Sequence, residues 1–502
     1  MYKMTKLNFK MILHVMGILL VFNGAFMSAS VLTSWYYNET AVLSQLVSAF
    51  LTVIITGFLL MFFTKKHNKD FGTKEGYLIV TLGWVFMALS GCLPYLFTGS
   101  ITSFTDAFFE TVSGYTTTGA TIIDDIEILP KGILIWRSLT HWIGGMGIIV
   151  LTIAILPMFG IGGMQLFTAE APGINTDKLK PRITDVAKRL WLIYFSFTAI
   201  ETILLHIAGM SVFDAINHGL STLSTGGFST KNASIAFWND NYWIQYIIIL
   251  FMFMSGTNFV LFYLAFKLKF KKLIANEEFR WYVFFVISAT LITFVAVYFK
   301  SDLTLSSTGH PMVLGRVEAT FRHALFQVVA VMTTTGFVTS DFTAWLPFVT
   351  IFFFGLFFLG GSAGSTAGGV KIVRQVFLIK NGILEFRRIL HPNAVLPMRY
   401  NGKSVDQKIV YNVLGFFILY MLSFIVGTLV MSLTGLDFMT SAGAAASSLG
   451  NIGPAFGDVS PVDNYNSLSC FAKWWSSFLM ILGRLELFTV LILFTSYFWK
   501  RY

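Results

Sequence analysis

Four short glycine segments recur at near-equal intervals along this chain, and each stands just before a long apolar stretch. They read TTTGA (116–120), STGGF (224–228), TTTGF (333–337) and GNIGP (450–454). Their fourth-position glycines are Gly119, Gly227, Gly336 and Gly453, spaced by 108, 109 and 117 residues. Ahead of each lies a stretch of about 12 residues suited to a short helix. Four near-equal repeats, each placing a glycine turn after a half-length helix, supply what a fourfold ring of backbone carbonyls needs.

Composition decides the solvent. Of 502 residues 55% are hydrophobic and 12% charged, with a mean hydropathy of +0.71. Soluble domains carry about 25% charged residues, so a soluble fold is excluded. The apolar runs are continuous over roughly 20 residues, the length of a spanning helix and not the alternation of a β-barrel. The chain therefore reads as an all-α polytopic membrane protein.

Ten spans are expected, near 10–33, 40–63, 76–97, 134–158, 190–209, 243–266, 281–299, 346–379 (interrupted), 409–433 and 474–498. An even count puts both termini on one side. The segments on that side (1–10, 64–75, 159–189, 267–280, 371–408 and 499–502) hold 27 of the 35 Lys and Arg. The positive-inside rule makes that side cytoplasmic. The net charge of +10 is thus a topology signal and not a nucleic-acid footprint. The opposite side carries 14 Asp and Glu against seven basic residues, Glu39, Asp124, Asp125, Glu127, Asp240, Asp341, Asp458 and Asp463 among the acids. Such a surface concentrates cations. Cys92 and Cys470 have no metal-ligand spacing and form no disulfide framework. The basic N-terminus leads into an apolar run too long for a signal peptide, so it is kept as the first span.

The first two spans (1–70) stand outside the repeat. Four units follow, at 71–165, 166–275, 276–400 and 401–502, each reading span, short helix, glycine turn, span. Units one and two align without a gap, with Asp106 and Asp214 both 13 residues before their glycines; His323 and Thr440 hold that position in the other two. The short helices, of 11 to 13 residues, reach only about 16–20 Å, too little for a core of about 30 Å. Each must enter the membrane and turn back. Irregular backbone at that depth survives only in contact with protein or lining water, and four such turns on one axis make a pore. A dehydrated cation needs several carbonyls aimed inward, and glycine reaches the backbone angles that this requires.

With these residues in view the chain resembles the Trk/Ktr/HKT superfamily of potassium transporters and looks closest to its bacterial TrkH-type branch. The likeness covers essentially the whole chain; HWIGGMG (141–147), GGSAGSTAGG (360–369) and LGRLELF (482–488) add to the four glycine motifs. The resemblance implies a single-chain pore of ten transmembrane helices, arranged as four pseudo-fourfold helix–pore-loop–helix units plus the two N-terminal helices. It implies a K⁺ filter of Thr117, Thr118 and Gly119; Thr225, Gly226 and Gly227; Thr334, Thr335 and Gly336; and Asn451, Ile452 and Gly453. K⁺ would bind at the glycine and at the residue before it in each set. Glycine at 119, where some Na⁺-favouring relatives carry Ser, leans towards K⁺. The fourth segment departs most from the others. A homodimer in the bacterial inner membrane, seated on a cytosolic nucleotide-binding TrkA-like ring, is implied as well, with no organic cofactor on this chain.

Two further features bear on control. Five glycines within ten residues (Gly360, Gly361, Gly364, Gly368 and Gly369), together with Ser362 and Ser365, cannot propagate a helix, since each glycine costs about 1 kcal/mol relative to Ala. A break there, beneath the filter, leaves a loop across the pore, and the family likeness also places a gate there. Val370 precedes Lys371, with no Ser or Thr after it, so this is no nucleotide P-loop. Arg484 lies 11 residues past Lys473, about 16 Å along the helix. It is expected either near the pore, limiting cation passage, or paired with Glu486 or with Glu201, the other buried acid. His141, His206, His218 and His323 show no metal spacing; His141 reads as helix packing. No nucleophile–base set or catalytic carboxylate pair points to an enzyme. Gated K⁺ conduction into the cell leads, and K⁺ transport coupled to H⁺ or Na⁺ through Glu201 or Glu486 is the alternative. The basic segment 371–408, with Arg387, Arg388, His391 and Arg399, is a candidate docking surface for an acidic partner.

Overall fold

The computed structural model describes residues 7–66, 72–150, 183–301 and 311–500. It is helical but for one two-stranded hairpin, β1 (Arg399–Tyr400) paired antiparallel with β2 (Lys403–Ser404). Helices α1 (Phe9–Tyr36) and α2 (Thr40–Phe63) form an antiparallel pair. At 28 residues α1 is about 42 Å long, enough to cross a bilayer with tilt. Leu46, Ala49, Val53 and Gly57 repeat at helical spacing on the buried face of α2, while Leu51, Ile55, Phe58 and Phe62 are exposed. The apolar residues outside are thus on the side open to lipid. Gly17 and Gly57 let the two backbones touch, because a methyl at Gly17 would lie 2.9 Å from the Gly57 oxygen.

The glycine units then follow along the chain. α3 (Thr73–Gly91, continued by Leu93–Phe97) leads to the short α4 (Phe104–Tyr115) and to α5 (Lys131–Val150). α6 (Ile183–Ile207) leads to the short α7 (Val212–Leu223), then α8 (Tyr242–Ser255) and α9 (Phe259–Phe266). α10 (Glu277–Lys300) leads to α11 (Arg316–Met332), α12 (Pro347–Leu356) and α13 (Ile372–Leu390). α14 (Gln407–Ser432) leads to the short α15 (Phe438–Gly450), then α16 (Cys470–Arg484) and α17 (Phe488–Leu491). The N-terminal pair is tied to the first unit by polar groups. Glu39 accepts from the amides of Lys131 (2.6 Å) and Gly132 (3.1 Å) at the N-terminus of α5, where a carboxylate is favoured. Buried Asn23 accepts from Tyr115 and donates to Ser90.

Among the described residues six helices are long and apolar enough to cross a membrane, and up to eight if each of two bent pairs counts as one span. The six fall on the expected spans near 10–33, 40–63, 76–97, 190–209, 281–299 and 409–433. The expected spans at 243–266 and 474–498 are present as bent helix pairs. The first bends by 101° between α8 and α9, the second by 111° after α16. At the first break Asn258 caps α9 by accepting from the Val260 amide. At the second, Glu486 and Leu487 take left-handed backbone, with φ of 57° and 51°. The interruption in 346–379 is present, with 357–371 non-helical between α12 and α13. Of 134–158, the part to Val150 is helical and the rest lies outside the described residues, as does most of the basic segment 159–189. Cys92 and Cys470 are both free.

Candidate ion pore

Three of the four short helices start at a side-chain cap three residues ahead of the aligned position. Ser103 accepts from the Asp106 amide, Ser211 from that of Asp214, and Asp437 from that of Thr440. Two helices have 12 residues and one 13. The third, α11, has 17, longer than the 11 to 13 expected. It begins further out, where Glu318 pairs with Arg322 one turn on at 2.7 Å and Gln245 accepts from the same guanidinium.

Beyond each helix the chain makes the same turn. Thr117, Thr225, Thr334 and Asn451 have φ of 54–55°, and the glycines two residues on have φ of 79°, 86°, 72° and 101°. The residue between donates its amide to the carbonyl five residues back: Thr118 to Ser113, Gly226 to Ser221, Thr335 to Ala330 and Ile452 to Ser447, at 2.8–3.0 Å. Left-handed backbone is uncommon outside glycine and strained for a β-branched residue. Finding it at three threonines and an asparagine in register marks one selected geometry. Left-handed residues on either side of a residue that is not left-handed turn successive carbonyls out of the alternation of an extended strand.

The four turns close on one another in chain order. A methyl at Gly119 would sit 2.1 Å from the Gly226 oxygen, one at Gly227 2.1 Å from that of Thr335, and one at Gly336 2.0 Å from that of Ile452. The circuit ends where it began, since a methyl at Gly453 would lie 2.5 Å from the Thr118 oxygen. Each glycine is required twice, for its positive φ and for the neighbouring carbonyl. All twelve expected filter residues therefore lie in one ring. A cavity with about 80 Å³ of room for water centres opens on it, lined by all four glycines together with Arg137, Lys231 and Asp463.

Several residues that hold the ring were given no such role from the sequence. Glu110, His218 and Gln327 each stand nine residues before their glycine, and each braces the chain just beyond it. Glu110 accepts from Thr121 and the Ile122 amide, His218 Nε2 meets Ser229 at 3.0 Å, and Gln327 donates to Thr339 at 3.3 Å. Aligning the glycines exposes this polar position. Arg137, fully buried, joins two walls: it pairs with Glu110 at 2.9 Å and donates to the Ser229 carbonyl at 3.1 Å. Removing one partner of such a pair costs about 3–5 kcal/mol. His141 stacks on Phe228, with ring centres 4.0 Å apart, and backs Gly226, where a methyl would meet its ring at 2.1 Å. The HWIGGMG motif is close packing as well, for a methyl at Gly144 would lie 1.9 Å from the Tyr115 oxygen. The outer acids are largely engaged. Asp124 accepts from Asn464 and Asn466, Asp125 from Asn232, and Glu127 pairs with Lys231.

The glycine-rich loop 357–371 is directly joined to the ring. The Gly368 amide donates to Thr334 Oγ1 at 2.7 Å, and a methyl at Gly368 would lie 2.6 Å from the Gly450 oxygen. Gly360 donates to the Val370 carbonyl and closes the loop on itself, with Gly369 against the Gly360 backbone. Gly361 accepts from the Ile372 amide, Ser362 donates its amide to Gly256, and Ser365 donates its hydroxyl to the Ser362 carbonyl. Gly364 accepts from the Phe259 amide, so the loop also rests on the α8–α9 break. Arg484 reaches this loop. Its guanidinium donates to the carbonyls of Thr366 (2.8 Å) and Gly144 (3.3 Å). Of the two readings of Arg484, the alternative of a pair with Glu486 or Glu201 is not seen among the described residues: Glu486 pairs with Arg374 at 2.6 Å, and buried Glu201 has the Thr222 hydroxyl beside it and no ion-pair partner there. Nor is Glu201 the one other buried acid, because Glu110 and Glu278 are buried too. Glu278, at the start of α10, accepts from the Ala363 amide at 2.6 Å and so holds the loop. Its neighbour Glu277 pairs with Lys380 on α13 and accepts from the Asn401 amide in the β1–β2 turn.

Comparison with known proteins places this geometry in a lineage. A profile of the TrkH family, described as a cation transport protein, matches residues 43–500. The Trk system potassium uptake protein TrkH of Vibrio parahaemolyticus serotype O3:K6 is 38% identical over 499 residues, 98% of this chain and 100% of its own length. TrkH of Escherichia coli K12 is 38% identical over 497 residues, again 98% of this chain and all of its own, and TrkG of the same strain is 33% identical over 494, covering 98% and 99%. The crystal structure of the potassium transporter TrkH from Vibrio parahaemolyticus superposes with a TM-score of 0.87 at 37% identity, covering 98% of this chain and all of that one. By sequence along its whole length and by fold, the chain belongs to the TrkH family of cation transport proteins.

Proposed function

We propose that this protein takes up K⁺ across the bacterial inner membrane through one gated pore. Its filter is the ring at 117–119, 225–227, 334–336 and 451–453. The observation that carries the reading is the circuit of four identical turns, each glycine seated against the next wall's carbonyl. Carbonyls crowded on one axis repel each other unless a cation lies between them, and an ion stripped of water needs such a set. The kinship with potassium uptake proteins supports K⁺ as the ion. On this reading ten spans surround the axis as four pseudo-fourfold units plus the N-terminal pair. Both termini are cytoplasmic, where the Lys and Arg excess falls. The protein works as a homodimer on a cytosolic nucleotide-binding ring of the Trk system. Loop 357–371 is the gate, and Arg484 sets a positive charge beneath the filter. Gly119→Ser tests the filter directly, since its added side chain meets the Gly226 carbonyl. K⁺ flux should fall about tenfold or more, or lose its preference over Na⁺. Unchanged flux and selectivity in a well-expressed variant would refute the filter.

One observation favours a second reading, transport coupled to protons. Glu201 is a fully buried carboxyl with no ion-pair partner among the described residues, only the Thr222 hydroxyl beside it, and intramembrane acids of that kind carry protons in transporters. Glu486 loses its claim by pairing with Arg374. K⁺ flux that needs a proton gradient and vanishes in Glu201→Gln would favour this reading over passive conduction.

A further inference from the structure

The four walls differ in one respect that their sequences conceal. Among the described residues, no protein group donates to the carbonyls of Gly119, Gly227 or Gly336, nor to those of Thr118, Gly226, Thr335 and Ile452 one residue earlier. The Gly453 carbonyl accepts two hydrogen bonds, from Ser447 Oγ at 2.8 Å and from the Tyr465 hydroxyl at 2.9 Å. Both distances are ordinary for O–H donors, and two bonds occupy both lone pairs of a carbonyl. Ser447 also accepts from the Gly453 amide at 3.0 Å, so one hydroxyl pins both polar groups of this residue. Both donors are buried. If the carbonyl turned to an ion, two hydroxyls would lose their partner away from water.

The cause lies nine residues back. Walls one to three are braced from that position by Glu110, His218 and Gln327, which grip the chain beyond the glycine and leave its carbonyl alone. In wall four the position is Ala444, which has no polar side chain. The brace comes instead through Ser447 and Tyr465, onto the carbonyl itself.

We infer that the filter is asymmetric: the glycine level offers an ion three carbonyls, with water completing the fourth side, and the complete four-carbonyl ring lies one residue deeper. Tyr465 and Ser447 are then positioning residues that set this division. The inference rests on the proposed filter and goes beyond it by distinguishing its levels.

Diffraction from the intact protein with thallium, a heavy stand-in for K⁺, reads both. The expected result is thallium at the glycine level in contact with the carbonyls of Gly119, Gly227 and Gly336 but not of Gly453, and thallium bound by all four carbonyls one level deeper. Equal contact with all four glycine carbonyls would overturn the asymmetry and leave the filter standing. No thallium anywhere in the ring would overturn the filter and this inference with it. A functional measurement is independent of crystals. Tyr465→Phe returns one lone pair to the ion, so the half-saturating K⁺ concentration should fall about fivefold, the worth of one hydrogen bond, with no matching gain for Na⁺. An unchanged or raised value would count against the proposal.

Discussion

At the scale of single residues, the candidate pore puts strain and charge where a soluble fold would not. Three threonines hold left-handed backbone at 54–55°, a conformation that costs of order 1–3 kcal/mol each. Helix ends, buried braces and neighbouring walls together fix it. The glycines of the ring were legible from the sequence because spacing and residue type both single them out. The braces were not, because a Glu, a His and a Gln at one aligned position share polarity but no motif. Arg484 was legible as costly, since an arginine at mid-membrane costs at least about 2.5 kcal/mol. Its partners were not, because they are carbonyls of Thr366 and Gly144, and a carbonyl has no signature in sequence. If Arg484 both bounds the pore with charge and holds the loop, Arg484→Gln will raise K⁺ flux several-fold at equal protein. Equal or lower flux in purified vesicles would remove it from the gate.

At the scale of elements, breaks matter more than spans. Hydropathy located six long helices because lipid-facing length is additive along a chain. It missed the bends after Ser255 and Arg484 because three non-helical residues at 256–258, or two left-handed residues at 486 and 487, leave mean hydropathy almost unchanged. Only the loop at 357–371 had enough glycines to declare itself. These breaks adjoin, and the loop hydrogen-bonds to residues 255, 256 and 259 of one and to Arg484 of the other. Glu278 is the link outward. It holds the Ala363 amide, while Glu277 beside it holds α13 and the β1–β2 turn. A pull on the β1–β2 hairpin therefore has a short covalent and hydrogen-bonded route to the loop. Glu278→Ala removes the acceptor and should raise basal K⁺ flux several-fold while leaving K⁺ over Na⁺ preference unaltered. A change in selectivity with unchanged basal flux would place Glu278 in the filter's support instead.

At the scale of the whole molecule, one chain supplies all four walls, so each wall is free to differ. That freedom shows in the capped Gly453 carbonyl and the long α11, and in the loop, which belongs to one unit. On the proposed ten-span topology, orientation is set by the distribution of Lys and Arg along the chain. Reporters fused to either end should be active in the cytoplasm; a periplasmic signal from one end would break the even count. The central claim is that the ring alone selects and passes K⁺. Its most direct test is cation flux into liposomes that hold only the purified protein, comparing K⁺, Rb⁺ and Na⁺ with no other gradient imposed. The account predicts entry of K⁺ and Rb⁺ well above Na⁺ in that setting. Flux that stays at zero until a proton or sodium gradient is added would contradict it and turn attention to Glu201.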